Sequence, residues 1–234
     1  MQATAARRWR FKGPEMEGVV ARWYARIRGT GSQVEAYRNQ AAQLTGKLPA
    51  GARVLEVAFG PGYLAIEMAR FGRLQVSGLD ISRSFVSIAG ENAREAGVSV
   101  DFLQGDASVM PYEAESFDLI VCQAAFKNFV YPGSALSEMH RVLRCGATAV
   151  VQDMSSDATH ADIEREVAGM QLGWFSTFTT KATLEVLRRR AYSPRTFERL
   201  AAASPFGTCE IATEGIGLEV RLTKQEGTSH GRGS

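Results

Sequence analysis

An alternation between two kinds of segment, from residue 54 to residue 153, constrains the fold most strongly. Short apolar, β-branched runs alternate there with stretches of helical periodicity. Parallel strands need a crossover connection, usually a helix, so this alternation predicts a parallel sheet with helices on both faces. The predicted strands are 54–57, 75–79, 100–103, 117–122 and 148–153, and the helices between them are 63–70, 84–96 and 133–143.

The two ends of the chain follow other patterns. Residues 14–29 and 33–45 place apolar side chains at helical spacing, which predicts an N-terminal helical cap or arm over residues 1–50. Near the other end, 161–190 and 194–203 are predicted to be helical, and the alternating runs 208–213 and 217–223 predict an antiparallel hairpin. The main domain is therefore expected over residues 51–224, and the small polar residues of 225–234 predict a disordered tail.

Composition is typical of a globular protein, with 45% apolar and 22% charged residues. No apolar run is long enough for a membrane span, and the N-terminus lacks a signal-peptide layout, so a cytoplasmic location is expected. The three cysteines, Cys122, Cys145 and Cys209, lie far apart. This spacing predicts neither a disulfide framework nor a metal site, and Cys122 is expected to be a core residue.

Positive charge is concentrated at the N-terminus. The first 29 residues contain seven basic side chains and two glutamates, although the net charge of the whole chain is only +2. Such an arm could bind nucleic acid, an acidic substrate or a membrane surface. A solvated helix face is the simpler interpretation, and acidic residues elsewhere make a general nucleic-acid partner unexpected.

A glycine-containing turn lies between the first predicted strand and the helix that follows. Its residues are Ala58-Phe59-Gly60-Pro61-Gly62. The glycines allow the backbone to approach a ligand closely. The pattern Gly60-x-Gly62-x-x-Ala65 also fits a dinucleotide fingerprint, so the glycines alone do not select a cofactor.

Three acidic residues near this turn discriminate between cofactors. Glu56 lies in the first strand, Asp80 ends the second, and Asp106 follows the third. A carboxylate beside the turn suits the ammonium and sulfonium groups of S-adenosylmethionine (SAM) and would repel a pyrophosphate. Asp80 can accept hydrogen bonds from both ribose hydroxyls, as it could in a nicotinamide enzyme, and Asp106 can accept from the adenine amino group. Together they favour SAM over a nicotinamide dinucleotide.

The segments carrying these residues resemble the successive motifs of class I SAM-dependent methyltransferases. The closest group is the small-molecule one that includes ubiquinone and menaquinone methyltransferases, and the resemblance covers residues 53–153. The motifs are Glu56-x-Ala58-x-Gly60-x-Gly62, Asp80, Gly105-Asp106-Ala107, Ser116-Phe117-Asp118-Leu119-Ile120 and Arg141-Val142-Leu143-Arg144-Cys145-Gly146. Two positions depart from the family pattern: Ala58 replaces the usual first glycine, and Cys145 a frequent proline. The extra methyl of Ala58 is expected to displace the methionine end of SAM slightly.

The resemblance implies a Rossmann-like α/β fold whose seven-stranded sheet has the order 3-2-1-4-5-7-6, with the last strand antiparallel. It also implies that SAM binds over the carboxyl ends of strands 1 and 2 and leaves as S-adenosylhomocysteine. The expected cofactor-binding residues are Glu56, Ala58, Phe59, Gly60, Gly62, Asp80, Ile81, Asp106, Ala107 and Gln123.

The implied reaction is an in-line SN2 displacement that moves the methyl group to an O, N or C atom. The leaving group is neutral, so alignment can supply much of the catalysis, and a base is needed only if the acceptor keeps its proton until attack. Beyond strands 4 and 5, His160, Asp153 and Lys127 are weak catalytic candidates. An exposed loop position for His160 and a capping role for Asp153 are the structural alternatives.

The segment 155–190 is rich in aromatic residues, and in this fold such an insertion commonly covers the acceptor site as a helical lid. A core role for these aromatic side chains is equally compatible with their spacing. As a lid, the segment would imply an apolar or aromatic small-molecule acceptor. The candidate substrate contacts are Tyr24, Tyr37, Phe126, Asn128, Trp174 and Phe178.

An alternative function is methylation of RNA or protein through the basic N-terminal arm. The absence of an Asn-Pro-Pro-Tyr motif at the end of strand 4 disfavours methylation of a nucleic-acid base. The assembly is expected to be a monomer or a homodimer.

Overall fold

The computed structural model describes residues 16–169 and 174–226, and the side chains of these residues except 32 and 174–177. The basic residues at positions 7–12 and most of the predicted tail, 227–234, lie outside the described residues. Within the described ranges, every helix is too short or too polar to cross a lipid bilayer.

One seven-stranded sheet organises the described chain, with strand order 3-2-1-4-5-7-6. The first five strands pair in parallel, and β7 pairs antiparallel with both β5 and β6. This arrangement confirms the predicted fold class. The strands are β1 (Arg53–Val57), β2 (Gln75–Asp80), β3 (Asp101–Gln104), β4 (Phe117–Gln123), β5 (Leu143–Met154), β6 (Glu210–Glu214) and β7 (Gly217–Thr223).

Helices cover both faces of the sheet because successive side chains of a buried strand point in opposite directions. In β1, Leu55 and Val57 join the core beneath α5 (Pro132–Val142) and α8 (Pro194–Ala202). Val54 joins the opposite core, beneath α3 (Tyr63–Ala69). The buried Cys122 belongs to the first of these cores, as predicted.

Two helices precede the sheet, α1 (Gly18–Arg28) and α2 (Gly31–Thr45). Ala21 and Ala25 of α1 are buried against α4 (Arg83–Ala96). The Glu17 carboxylate, just before α1, accepts hydrogen bonds from the first backbone N–H groups of α4, at Arg83 and Ser84. This acidic contact at a helix N-terminus fixes α1 at the ligand-binding edge of the sheet.

The predicted helical segment 161–190 is divided into two helices, α6 (His160–Gly169) and α7 (Trp174–Arg188). A small apolar core joins them to the end of β5. Its members are Met154, Ala158, Ile163 and Val167, with Leu184, Leu187, Ala191 and Ile216 packed against them. The two helices therefore pack beside the carboxyl end of β5.

Candidate cofactor and acceptor site

A cavity of about 650 Å³ opens at the carboxyl ends of the parallel strands. It is bordered by the last residues of β1, β2, β4 and β5 and closed by α1 and α7. Ligands of open α/β sheets bind at this edge, and the volume is typical of a small-molecule site.

The glycine turn after β1 forms one wall. Ala58, Gly60 and Gly62 all adopt positive φ, at 58°, 55° and 81°. A Cβ added to Gly62 would lie 2.8 Å from the Ala89 Cβ and from the Phe102 ring, whereas one added to Gly60 would meet no atom within 4 Å. Gly62 therefore allows close helix packing, and Gly60 leaves open space for a ligand beside the backbone.

Asp80 connects the glycine turn to the end of β2. Its Oδ2 atom accepts from the Gly60 N–H at 2.9 Å, and its Oδ1 atom accepts from the Ser82 N–H at 2.8 Å. Burial raises the pKa of this carboxyl to about 6, although both hydrogen bonds oppose the shift. The side chain also borders the cavity, so a ligand hydroxyl there would meet a positioned acceptor.

Glu56 is buried, and its Oε2 atom has no hydrogen-bond partner among the described residues. Burial raises the pKa of this carboxyl to about 8, and the negative charge of Asp80 adds to the effect. The Ala65 backbone N–H bonds to this carboxyl, but an ionised carboxylate buried with one oxygen unsatisfied is still costly. A cation placed beside Glu56 would remove that cost.

Glu56 faces a recess of about 50 Å³ that shares its border with the main cavity. Arg28 and Tyr37 face the same recess, and the Arg28 Nε atom donates to the Tyr37 hydroxyl at 2.9 Å. An acid and a guanidinium therefore meet in one small pocket. Arg28 comes from α1 and was missed in the sequence, because only the packing of α1 brings it here.

The wall at the end of β3 contains Asp106 and Ala107, with Ile81 beside them. The Oδ1 atom of Asp106 accepts from the backbone N–H and the hydroxyl of Ser108, at 2.8 and 2.7 Å. These bonds fix the carboxylate at the edge of the cavity, next to the apolar side chains that would cover a flat ring.

Gln123, the last residue of β4, begins a chain of hydrogen-bonded side chains. Its Nε2 atom donates to Gln40 of α2 at 2.9 Å, and Gln40 donates to Gln152 of β5. Gln152 donates in turn to Glu219 of β7 at 2.7 Å. This series of hydrogen bonds joins the cavity wall to α2 and to strands β5 and β7.

Lys127 and Asp153 form a buried ion pair in the cavity wall, with Nζ 2.6 Å from Oδ1. The Lys127 ammonium also donates to the Ala124 carbonyl at 2.6 Å. The Asp153 carboxylate also accepts hydrogen bonds from two backbone N–H groups, those of Lys127 at 3.0 Å and Met154 at 2.8 Å. The pair therefore fastens a 3-10 turn, Phe126–Asn128, to the end of β5.

Four of the predicted site residues with described positions line neither the cavity nor the recess: Gly62, which packs against α4 and β3, and three others. Phe126 is fully buried and packs against the Phe129 and Phe197 rings, at 5.1 and 5.0 Å between centroids. The His160 side chain is 80% exposed and lies 2.8 Å from Glu185. Phe178 is 70% exposed on α7.

The other predicted substrate contacts are placed as follows. Tyr24 and Asn128 border the main cavity, and Tyr37 borders the recess. The side chain of Trp174 lies outside the described residues. Met154, expected near the acceptor, lines the part of the cavity beyond the glycine turn. Four apolar residues missed in the sequence line it as well, and they are Phe129, Leu184, Leu187 and Ile216.

Comparison with known proteins points to one family. Residues 55–151 match the model of a methyltransferase domain. Demethylmenaquinone methyltransferase from Deinococcus radiodurans is 35% identical over 108 residues, which cover 46% of this chain and 45% of that protein. The chain thus spans about half the length of the curated relatives it matches.

Solved structures share the fold. Magnesium protoporphyrin IX methyltransferase from Synechocystis, determined with bound S-adenosylhomocysteine, aligns over 90% of this chain and 96% of its own, with a TM-score of 0.63 and 16% identity. The [4+2]-cyclase SpnF aligns over 76% of this chain and 58% of its own, with a TM-score of 0.56 and 28% identity. The domain match over residues 55–151, the strand order and the acidic glycine-turn site identify a methyltransferase domain with the class I SAM-dependent methyltransferase fold in this part of the chain.

Proposed function

We propose that this protein is an active methyltransferase that moves the methyl group of SAM, by in-line SN2 displacement, to an O, N or C atom of a small apolar or aromatic molecule. The observation that carries the proposal is the buried Glu56 carboxyl, whose Oε2 atom has no partner among the described residues, in a recess that shares its border with the cavity. With a pKa of about 8 this carboxyl keeps its proton at neutral pH, and a cation beside it would favour the ionised form, whereas a phosphate would oppose it.

The residues around the glycine turn fit SAM group by group. Glu56 would accept from the ammonium, and Arg28, in the same recess, would pair with the carboxylate of the amino-acid end. Asp80 would accept from the ribose hydroxyls, and Asp106 from the adenine amino group, with Ile81 and Ala107 packed beside the ring. Phe59, whose own ring packs on Phe102, would support the turn from behind.

When bound, SAM supplies a methyl group on a sulfonium whose departure as a neutral thioether needs no acid. The protein's contribution is therefore to position the acceptor and to exclude water. In this proposal Lys127 and Asp153 hold the 3-10 turn that carries Asn128 into the cavity wall. Proton removal by Asp153 is disfavoured, because its oxygens already accept from Lys127 and two backbone N–H groups.

The part of the cavity beyond the glycine turn, here called the acceptor half, is mainly apolar. Its lining residues include Phe129, Met154 and Leu187. This lining suits a lipophilic aromatic acceptor of the kind named for the Deinococcus relative, a demethylated quinone. Residues 155–190 would act as the lid, with α7 presenting Leu184 and Leu187 to the acceptor.

Calorimetric titration with SAM, S-adenosylhomocysteine and NADH tests the cofactor assignment. Micromolar-range binding of the first two and none of NADH is expected. A screen of phenolic, quinol and amine acceptors with SAM labelled on the methyl group then tests turnover. A [4+2]-cyclase also has this fold, so product formation alone does not demonstrate methyl transfer, and release of S-adenosylhomocysteine must accompany it. Binding of NADH in place of SAM would contradict the proposal.

The alternative function, methylation of RNA or protein, depends on the basic residues at positions 7–12, outside the described residues. It predicts salt-dependent RNA binding that disappears when residues 1–12 are removed. Methylation of a small acceptor by that same truncated chain would favour the main proposal.

A further inference from the structure

Helix α1 carries an apolar stripe on its outward surface. Val19 is 84% exposed and Trp23 62%, and Val20 and Ile27 are exposed as well. At 3.6 residues per turn these four side chains fall within an arc of about 100°. The buried Ala21 and Ala25 point away from that arc, toward α4, so nothing in the described chain covers the stripe. A contiguous apolar surface of this kind marks an interaction site.

One edge of the apolar stripe is bordered by arginines, and the other edge lies next to the cavity. By helical position, Arg22 and Arg26 lie next to Val19, and both are exposed. On the opposite edge, next to Val20, lies Tyr24, which lines the cavity. The sequence just before α1 adds four basic residues at positions 7, 8, 10 and 12.

Helix α7 repeats the arrangement. Phe178 and Val186 are exposed on one face, and the exposed Arg189 directly follows the helix. Leu184 and Leu187, on the other face, line the cavity. Both helices that border the cavity therefore expose apolar side chains, with exposed arginine on or directly after the helix.

We propose that α1 docks this protein on the surface of an anionic lipid bilayer. The apolar stripe enters the boundary between headgroups and acyl chains, and Arg22 and Arg26 pair with headgroup phosphates. Apolar residues on one arc of a helix, flanked by arginine, are the arrangement of interfacial helices. Charge complementarity selects anionic lipid, because the first 29 residues combine seven basic side chains with two acidic ones.

The proposal stands independently of the proposed function, since docking requires no turnover. A nucleic acid would engage the arginines but leave Trp23 and Val19 in water, so it accounts for only half of the surface. For a lipophilic acceptor, docking would place the cavity, bordered by Tyr24, next to the phase in which the acceptor dissolves.

Flotation of the full chain with vesicles tests the proposal. One set of vesicles is phosphatidylcholine alone, and the other is one-third phosphatidylglycerol. We expect binding to the second set only, weakening as salt is added. Val19→Ser combined with Trp23→Ser should weaken binding about tenfold or more, because apolar insertion is lost. Arg22→Gln combined with Arg26→Gln should weaken it by about tenfold at low salt.

A matched control removes two other exposed arginines, Arg94 of α4 and Arg195 of α8, by substitution with Gln. This control lowers the net charge by as much as the Arg22/Arg26 variant does. It should leave vesicle binding within about twofold of the unmodified chain. The proposal is overturned if the full chain ignores anionic vesicles, or if the Val19/Trp23 variant binds them as well as the unmodified chain. Sedimentation velocity adds a further test: if the stripe variant only turns a dimer into a monomer, the stripe is a protein interface.

Discussion

The backbone N–H of Gly60 donates to the Oδ2 atom of Asp80 across 2.9 Å. Through this bond the last residue of β2 holds the glycine turn of β1 in its left-handed conformation, at the border of the cavity. One carboxylate thus shapes the turn and presents an acceptor to a ligand, so its removal should affect both binding and folding.

Replacing Asp80 with Asn should weaken SAM binding by at least about tenfold, since a charged hydrogen-bond acceptor for two hydroxyls is lost. Asp80→Ala should also lower the free energy of unfolding by about 1–3 kcal/mol, because the Gly60 and Ser82 N–H groups lose their partner. Calorimetry and chemical denaturation measure the two effects. Asp101→Asn, at an exposed position of β3, is the control. Unchanged SAM affinity in both Asp80 variants would remove this residue from the site.

Glu56 should make the ligand-free protein less stable as pH rises. Its pKa in the folded protein is about 8 against an ordinary value of 4.5, so between these values the folded state binds more protons than the unfolded state. The contribution of Glu56 to stability is then full below about pH 4.5 and is lost as pH rises toward 8. Glu56→Gln should abolish most of this fall and stabilise the protein by about 1–3 kcal/mol at pH 8, with little effect at pH 5.

Thermal unfolding at several pH values, with and without SAM, measures that difference. Asp80, whose pKa is raised to about 6, adds a slope of the same sign at lower pH, and this slope should persist in the Glu56 variant. SAM should stabilise the unmodified protein more than the variant, since its ammonium offsets the Glu56 charge. Identical pH profiles for the two proteins would contradict this account of Glu56.

The parallel sheet and the positions of Glu56, Asp80 and Asp106 follow from local sequence pattern, whereas the strand order was implied by the family resemblance. Apolar β-branched runs separated by helices predict a parallel sheet, and parallel strands bring their carboxyl ends together. The start of β5 was missed: this strand begins at Leu143, whereas the prediction began it at residue 148. Exposed Cys145 and Gly146 interrupt the apolar pattern there.

The acceptor half was harder to predict, because it is built by packing between distant segments. Phe126 follows β4 closely in sequence, but its ring turns into the core against Phe197 of α8. Leu187 looked like any helical apolar residue, yet it reaches the cavity because α7 packs on the end of β5. Nothing in the local sequence shows that Phe126 enters the core while Leu187 lines the cavity.

Ala58 offers a test of strain in the turn. Its φ of 58° is left-handed, a conformation that costs a residue with a Cβ about 1 kcal/mol. Ala58→Gly should therefore leave the melting temperature unchanged or raise it, and it should not weaken SAM binding. The same substitution at Ala36, exposed in α2, should instead cost about 1 kcal/mol. A loss of stability at position 58 equal to that at position 36 would show that the turn stores no strain at Ala58.

Lys127 and Asp153 should behave as a structural pair. Asp153→Asn leaves a buried ammonium without its counter-ion, which should cost about 3–5 kcal/mol of unfolding free energy. Lys127→Met combined with Asp153→Leu should restore part of this loss, since no buried charge remains. The exposed pair of Lys181 and Glu164 is the control, and Lys181→Met should change stability by less than about 1 kcal/mol. The observation against a structural role would be an Asp153→Asn protein with unchanged stability and SAM affinity but no methyl transfer, because an Asp153 that binds the acceptor or takes its proton gives that combination.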